Sequence, residues 1–514
     1  MNKARRQFVG RFAAGGTMLG LTPFLASCGV SPLRFDVAEE PLNPFLNSFA
    51  IDESMISQVM RELTRKGADS AELYFQHKRS SVLQLAEGRS GTQQVTVIAG
   101  VGMRVVIGSA SGFAYTEELT LPGMLAAAKA AVSMIGSEAT VERVPTESYR
   151  WVEPEAMYDQ HLDMEQINAA ALRQRLRRID SAVRAADPSI NDVQLRWSDS
   201  DERVVIATLD GRLLADRRPL SRLSAQAVAE QGGQVVSGFA SLSARAGLDW
   251  YTDERLADLG GRASERTLIQ FDARQAPTGD LPVILTAGSS GVVLHEAIGH
   301  SFEADYVQSG DSRYAGQHGE RVAADIVSIV DEATIPNERG ALSVDDEGTV
   351  CGRTPLVENG RLTSLLHDSV TARQFSVAST GSARRESFMH QPTPRMSCTF
   401  MENGPHTREE IVETVQRGII AETYTGGQVQ LGGGDFRFNV KNAWLVENGK
   451  ITMPLRDLQI AGNGAEVLRD ISMVADDSRL AAGGWTCGKR GQRVPVSLGM
   501  PTVLVPQMKV QPDA

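Results

Sequence analysis

The sequence has few cysteines, no excess of positive charge and no long apolar run beyond its first residues. Four cysteines in 514 residues exclude a disulfide-built scaffold, so each is read singly as core residue, metal ligand, nucleophile or lipid attachment point. Acidic residues outnumber basic ones, 63 to 52, for a formal charge of −11. A protein that grips phosphate backbones needs a clustered basic surface, so no nucleic acid is expected as a partner. Past the N-terminal segment nothing reaches the roughly 18 apolar residues of a membrane span. The 48 glycines follow no three-residue period, and a hydrophobic fraction of 42% is that of a globular chain, which excludes a collagen-like rod and wholesale disorder. The length implies two large domains or three smaller ones.

What is present begins with an address. Lys3, Arg5, Arg6 and Arg11 cluster ahead of or within a modestly apolar stretch interrupted by Gly15, Gly16 and Gly20. Arg5-Arg6-Gln7-Phe8-Val9 resembles a twin-arginine export signal, and Leu25-Ala26-Ser27-Cys28 resembles a bacterial lipobox. Residues 1–28 are therefore expected to be an export signal and 29–50 a linker. Cys28 is the expected lipidation site, placing the protein in the periplasm with the membrane touched only through this anchor; the alternative is a cytoplasmic protein. Losing the four basic residues takes the formal charge to about −15.

Apolar spacing predicts helices over 51–66, 120–134, 163–186 and 251–270. Alternation predicts strands over 71–76, 81–86, 95–99, 101–107, 192–199, 202–208, 212–217 and 221–230. The expected N-terminal α/β region spans 51–275, divisible into 51–136 and 160–275. From 276 to 514 the texture changes to a strand at 281–287, a helix at 289–304, then short strands and glycine turns. Glu358-Asn359-Gly360 and Glu447-Asn448-Gly449 are hairpin signals, suggesting an internal β repeat. The fold class is α+β, an N-terminal α/β region followed by a β-rich C-terminal domain.

The strongest chemical signal is His295-Glu296-Ala297-Ile298-Gly299-His300, an HExxxH pattern. It is one residue longer than HExxH, whose histidines share a helix face with a Glu placed as general base. Five residues at about 100° each put the two imidazoles about 140° apart on an ideal helix. Joint ligation therefore requires a distortion over 298–300, through a π-bulge or a helix end at Gly299. A third ligand is needed, with Glu303, Asp305, His318, His367 and cysteine as candidates. Cys487 stands out within Gly483-Gly484-Trp485-Thr486-Cys487-Gly488-Lys489, where glycines allow close backbone approach and Lys489 could stabilise a thiolate. Cys351 and Cys398 read as buried strand residues, with a disulfide between them as the alternative.

These motifs resemble the TldD/TldE (PmbA) peptidase family, in its TldD branch. The resemblance also rests on Gly100-Val101-Gly102-Met103-Arg104, Gly112-Phe113-Ala114-Tyr115, Asp345-Asp346-Glu347-Gly348, Pro392-Thr393-Pro394-Arg395-Met396, Gly434-Asp435-Phe436 and Cys487-Gly488-Lys489-Arg490-Gly491-Gln492. It implies a metallopeptidase with Zn2+ on His295, His300 and Cys487 and with Glu296 as general base. It also implies assembly as a homodimer, or as a heterodimer with a TldE-like subunit, around an internal cavity that admits unfolded peptide. Two features depart from the family: Cys398 stands where Asn is expected, and the export signal is unusual for a family best known as cytoplasmic. Two other functions are open: an exported metal-binding or assembly subunit without significant catalysis, and a gyrase-modulator-type interaction protein.

Overall fold

Alternation along the N-terminal strands assigns each face of one sheet a different partner. The computed structural model describes residues 44–136, 148–430 and 433–512. Ser70–Ala86, Gln94–Ile107, Ala110–Thr116, Ile190–Thr208, Arg212–Gln231 and Gln234–Ala244, with the short Arg89–Ser90 and Arg150–Val152, form an eight-stranded sheet. It is antiparallel except where Arg150–Val152 runs parallel to Arg212–Leu214. Odd-numbered residues Leu73, Phe75, Met103, Val205 and Leu213 bury under the helices Glu53–Leu63 and Leu121–Ser133. On the same parity, Leu83, Leu85, Val193, Trp197 and Leu223 bury under Ala169–Ala186 and Asp253–Asp272. Each helix starts where Asp52, Thr120, Asn168 or Thr252 accepts a backbone N–H of its first turn. The segments 51–136 and 160–275 thus bring separate helix pairs to a shared sheet, because Ser70–Ala86 pairs directly with Ile190–Thr208.

Several expected strands are halves of longer ones. The pairs at 71–76 and 81–86, 95–99 and 101–107, 192–199 and 202–208, and 212–217 and 221–230 are each continuous. Polar stretches, and Gly100 between 95–99 and 101–107, suggested breaks, but a β ladder is held by backbone bonds that polar side chains and a glycine leave intact. Across two of these interruptions the side chains pair with one another: Arg79 with Asp199 at 3.1 Å and Arg217 with Asp201. The strand Gln234–Ala244, reached through Gly232 and Gly233 at φ 60° and 82°, was not expected. The linker ends earlier than residue 50: Pro44–Phe49 is helical, and Leu46 and Phe49 enter the core beside Phe75.

Among the described residues the C-terminal half holds two large sheets and a two-stranded one, Ala383–Arg384 with Thr393–Pro394. Arg417–Val429, Gly279–Leu285, Val503–Pro512, Leu458–Asn463 and Asp435–Glu447 pair in sequence and close on themselves, since Arg417–Val429 also pairs with Asp435–Glu447. A seven-stranded sheet contains Ile329–Glu332, Arg353–Glu358, Cys398–Met401 and Gln492–Met500, with Trp485–Lys489 paired along the last of these. Both Asn-Gly turns have positive φ at both residues, as a type I′ hairpin demands. One closes a hairpin in each large sheet, however, so they mark no internal repeat. The expected helix at 289–304 is broken into Gly291–Ala297, the single turn Gly299–Phe302, and Ala304–Gln308.

The other face of the N-terminal sheet lies against this half. Even-numbered Glu72, Tyr74, Gln76, Arg104 and Arg218 are buried and meet residues 345–388, and Asp216 on the same face is buried beside Tyr158, Gln160 and Arg218. Arg104 pairs with Glu72 at 2.8 Å and with Glu347, and Arg385 with Glu72 at 3.1 Å. Arg218 pairs with Asp216 at 2.8 Å and Asp346 at 2.6 Å. Gly100 and Gly102 fall on this face because Phe388 presses on the backbone: a Cβ at either position would stand 2.3 Å from a Phe388 atom.

Candidate metal centre

The HExxxH helix lies in the core of the C-terminal half, with Val292, Val293, Leu294 and Ala297 buried and its flank against Gln492–Met500 and Cys398–Met401. It ends where the five-residue spacing requires. Ile298 leaves helical geometry at φ −127° and ψ −53°, and His300 sits on the following tight turn. Gly299 permits this break because Met396 packs against it; a Cβ there would stand 2.4 Å from the Met396 sulfur. The imidazoles consequently converge, with ring centroids 5.1 Å apart and planes at 76°. Cys487 reaches them from Trp485–Lys489, the edge strand paired with Gln492–Met500.

One ligand atom from each of His295, His300 and Cys487 lies within 4.8 Å of the others, and all three residues are buried. Two imidazoles and a thiolate suit a borderline-soft divalent ion. Neither Nδ1 nor Nε2 of His295 has a hydrogen-bond partner although the ring is fully buried. Such an orphan is rare in a folded protein, and a metal on one of these nitrogens would explain it. The residues present therefore fit a bound metal.

The surrounding groups divide among the ligands. His300 Nδ1 faces Glu303 Oε2 at 2.8 Å, an arrangement that leaves Nε2 for a metal. Glu303 is also paired with Lys489 Nζ at 2.9 Å. Burial opposes charge on His300, but the Glu303 carboxylate, then the Cys487 sulfur, override it and push the imidazole up to about 10. Burial likewise opposes ionisation of Glu303, yet His300 and then Lys489 hold its carboxyl well below the usual range. The Cys487 thiol is held well below its ordinary value: burial opposes this, and His295 and His300 outweigh it. Arg395 Nη2 donates to both the carbonyl, at 2.8 Å, and the sulfur, at 3.1 Å, of Cys487. Glu296, partly open to solvent, receives the Trp485 indole N–H on Oε1 at 3.1 Å. Its Oε2 stands 3.9 Å from His300 Nε2.

The other expected ligand candidates have different partners. Glu303 backs His300. Asp305 binds Lys489 at 2.7 Å and Arg490 at 3.1 Å. His318 is exposed, and His367 is buried beside Thr371 and Phe375; neither joins the group. Lys489 does not stabilise the thiolate as expected. It shares a strand face with Cys487, but its longer side chain carries the ammonium past the sulfur to Glu303 and Asp305. Cys351 and Cys398 are buried and free, with no disulfide between them. Cys28 lies outside the described residues. Glu303 was singled out from sequence only as a possible ligand, not as the partner of His300, and Trp485 and Arg395 were not singled out as functional residues; Trp485 had a local signal, two residues before Cys487 and so on its strand face.

Comparison with known proteins agrees with this architecture. Residues 71–135, 163–271 and 278–512 match domain 1, the central domain and the C-terminal domain of the PmbA/TldA metallopeptidases. A Haemophilus influenzae protein named metalloprotease TldD homolog is 35% identical over 91% of this chain and 99% of its own length. A Buchnera aphidicola protein of the same name is 32% identical over 93% and 99%. Among solved structures, a Thermotoga maritima protein described as a candidate modulator of a DNA gyrase superposes with a TM-score of 0.73 at 21% identity, covering 89% of this chain and all of that one. TldE from Thermococcus kodakarensis gives 0.70 at 17% identity, over 89% and 99%.

Proposed function

Since this chain belongs to the PmbA/TldD metallopeptidase family, we propose that it hydrolyses peptide bonds in extended, unfolded chains, using zinc held by His295, His300 and Cys487. The observation that carries this is the convergence of those three buried side chains with Glu296 beside them. A binding or assembly site would need the ligands but would have no use for the base. When bound, the ion supplies Lewis-acid activation of water and of the scissile carbonyl. Glu296 takes the proton of the attacking water and delivers it to the leaving amine. Trp485 holds Oε1, so Oε2 is the oxygen that carries the proton. Glu303 keeps the Nδ1 proton of His300 in place and thereby the orientation of the ring.

Strand Trp485–Lys489 supports an extended substrate. It pairs on one side with Gln492–Met500 and with no strand on the other among the described residues. Thr486 and Gly488 are exposed, so an added peptide strand could bond to the free edge beside the metal ligands. The assembly we propose is a dimer, with a second copy or a TldE-like subunit. The location we propose is the periplasm, with a lipid on Cys28, from the Arg5-Arg6 and Leu25–Cys28 patterns. Purified metal-loaded protein, alone and with a TldE-like subunit, should cleave an unstructured peptide in a chelator-sensitive way. Glu296→Gln should retain stoichiometric metal and lose cleavage. Full activity in that variant would remove Glu296 as the base, and no chelator-sensitive cleavage in any combination would favour a non-catalytic metal-binding subunit.

A further inference from the structure

Among the described residues, Arg395 is the one charged side chain that hydrogen-bonds a proposed metal ligand without a role in the mechanism above. Its side chain is fully buried, its Nε and Nη1 have no protein partner, and among the described residues no carboxylate forms an ion pair with it. A guanidinium does not shed its proton, and leaving a buried charge uncompensated is strongly unfavourable. The Cys487 sulfur, 3.1 Å from Nη2, is the anion within its hydrogen-bonding reach.

The segment that carries Arg395 is pinned on every side. Arg395 N–H donates to Ser382 O at 2.9 Å, Lys489 Nζ to Pro394 O at 2.9 Å, and Arg384 Nη1 to Met396 O at 2.8 Å. Met396 in turn packs against Gly299 at the break between the histidines. The guanidinium is thus fixed to both the carbonyl and the sulfur of Cys487, which sets the direction of the sulfur lone pairs. The two tethered ligands are treated in opposite senses: Glu303 pushes charge toward His300, and Arg395 draws it from Cys487.

We infer that Arg395 is a positioning residue that orients the Cys487 thiolate and withdraws charge from it, so that the metal centre keeps Lewis acidity an unmodulated thiolate would quench. This rests on the metal-hydrolase reading above. The test uses the full chain loaded with cobalt(II), in which a thiolate ligand gives a charge-transfer band in the near ultraviolet. Losing an N–H···S bond raises the energy of the sulfur lone pair and moves that band to longer wavelength. Arg395→Met should show the full shift. Arg395→Gln, which keeps an uncharged N–H donor, should show a smaller one and serves where the Met variant does not fold. Cobalt content should stay stoichiometric, while kcat for an unstructured peptide falls about 10- to 100-fold in the Met variant, or less in Gln, with KM nearly unchanged. A band at the wild-type wavelength in cobalt-loaded variants overturns the assignment of Arg395 and leaves the metal site standing. Absence of any thiolate band in the wild type removes Cys487 as a ligand, and the metal reading and this inference fall together.

Discussion

Replacing Glu303 by Gln removes a charge from the candidate metal centre while leaving its shape. In the structure one oxygen does all the work: Oε2 faces His300 Nδ1 at 2.8 Å and Lys489 Nζ at 2.9 Å, and Oε1 has no partner. A Gln can put its carbonyl oxygen where Oε2 stands and its amide nitrogen where Oε1 stands, so both contacts survive. Lys489 keeps Asp305 at 2.7 Å and Pro394 O at 2.9 Å, so its charge is not stranded, and the stability loss should stay near 1–3 kcal/mol. What disappears is the negative charge that makes His300 a stronger donor. Partners of this kind contribute 10- to 100-fold to metal affinity, or about 1.4–2.8 kcal/mol. Metal-stripped protein titrated with zinc against a chromophoric chelator measures this directly, and a urea melt of the same samples reports folding. Glu303→Ala loses both contacts and should be destabilised by about 3–5 kcal/mol. If folded Glu303→Gln binds zinc within about twofold of wild type, the carboxylate is only a packing element and does not tune His300.

Three further outcomes follow from other contacts. Trp485→Phe frees Glu296 Oε1 and should lower kcat about tenfold, the size of one hydrogen bond to a charged group, with KM and metal content unchanged; a rise in KM alone would mean that Trp485 binds substrate instead. Arg104→Met leaves Glu72 and Glu347 buried without this counter-charge and should cost about 3–5 kcal/mol in urea unfolding; a loss below about 1 kcal/mol would show that the charged face does not hold the two halves together. Burial pushes His367 down to about 4 from an ordinary 6.5, so between those values the unfolded chain binds the proton more readily. Its stabilisation is therefore complete above about pH 6.5 and drains away as the pH falls toward 4, by at most about 3 kcal/mol and less where water reaches the ring. His367→Gln should flatten that acid limb of the stability profile, and an unchanged slope would count against the burial argument.

Periodicity revealed the helices over 120–134 and 251–270 and both Asn-Gly hairpins, because each depends on residues within a few positions of one another. It failed at the long strands for a reason visible in their parity. Glu72, Gln76, Arg104, Asp216 and Arg218 alternate with apolar neighbours as surface residues do, and a polar face usually means solvent. Here that face is covered by residues 345–388, and its charges are neutralised by partners that are mostly far away in sequence. Glycine gave the missing clue without being decisive: Gly100 and Gly102 mark where Phe388 touches the strand, but a glycine in a strand does not say what approaches it.

The His/His/Cys group was legible for a related reason. His295 and His300 announce each other by spacing, and the angular mismatch of that spacing foretold the break at Ile298. Their supporting groups carry no such mark. Glu303 looked like a ligand because it is three residues from His300, and only the tight turn shows that its carboxylate meets Nδ1, the far side of the ring from Cys487. Lys489 looked like the partner of the thiolate because it is two residues away on one strand face. Yet alternation fixes which face a side chain takes and leaves open how far along it the charge reaches; a four-carbon stem carries the ammonium beyond a neighbouring sulfur. Arg395 lies 92 residues from Cys487, and bringing the two together takes the pairing of Cys398–Met401 with Gln492–Met500, a register between distant strands that no local pattern encodes. Adjacent cations and carboxylates can therefore point to chemistry correctly and still name the wrong pair, which is why charge-removing variants at Glu303 and Arg395, with opposite expected effects on the donor strength of their ligands, discriminate more sharply here than truncation of the ligands themselves.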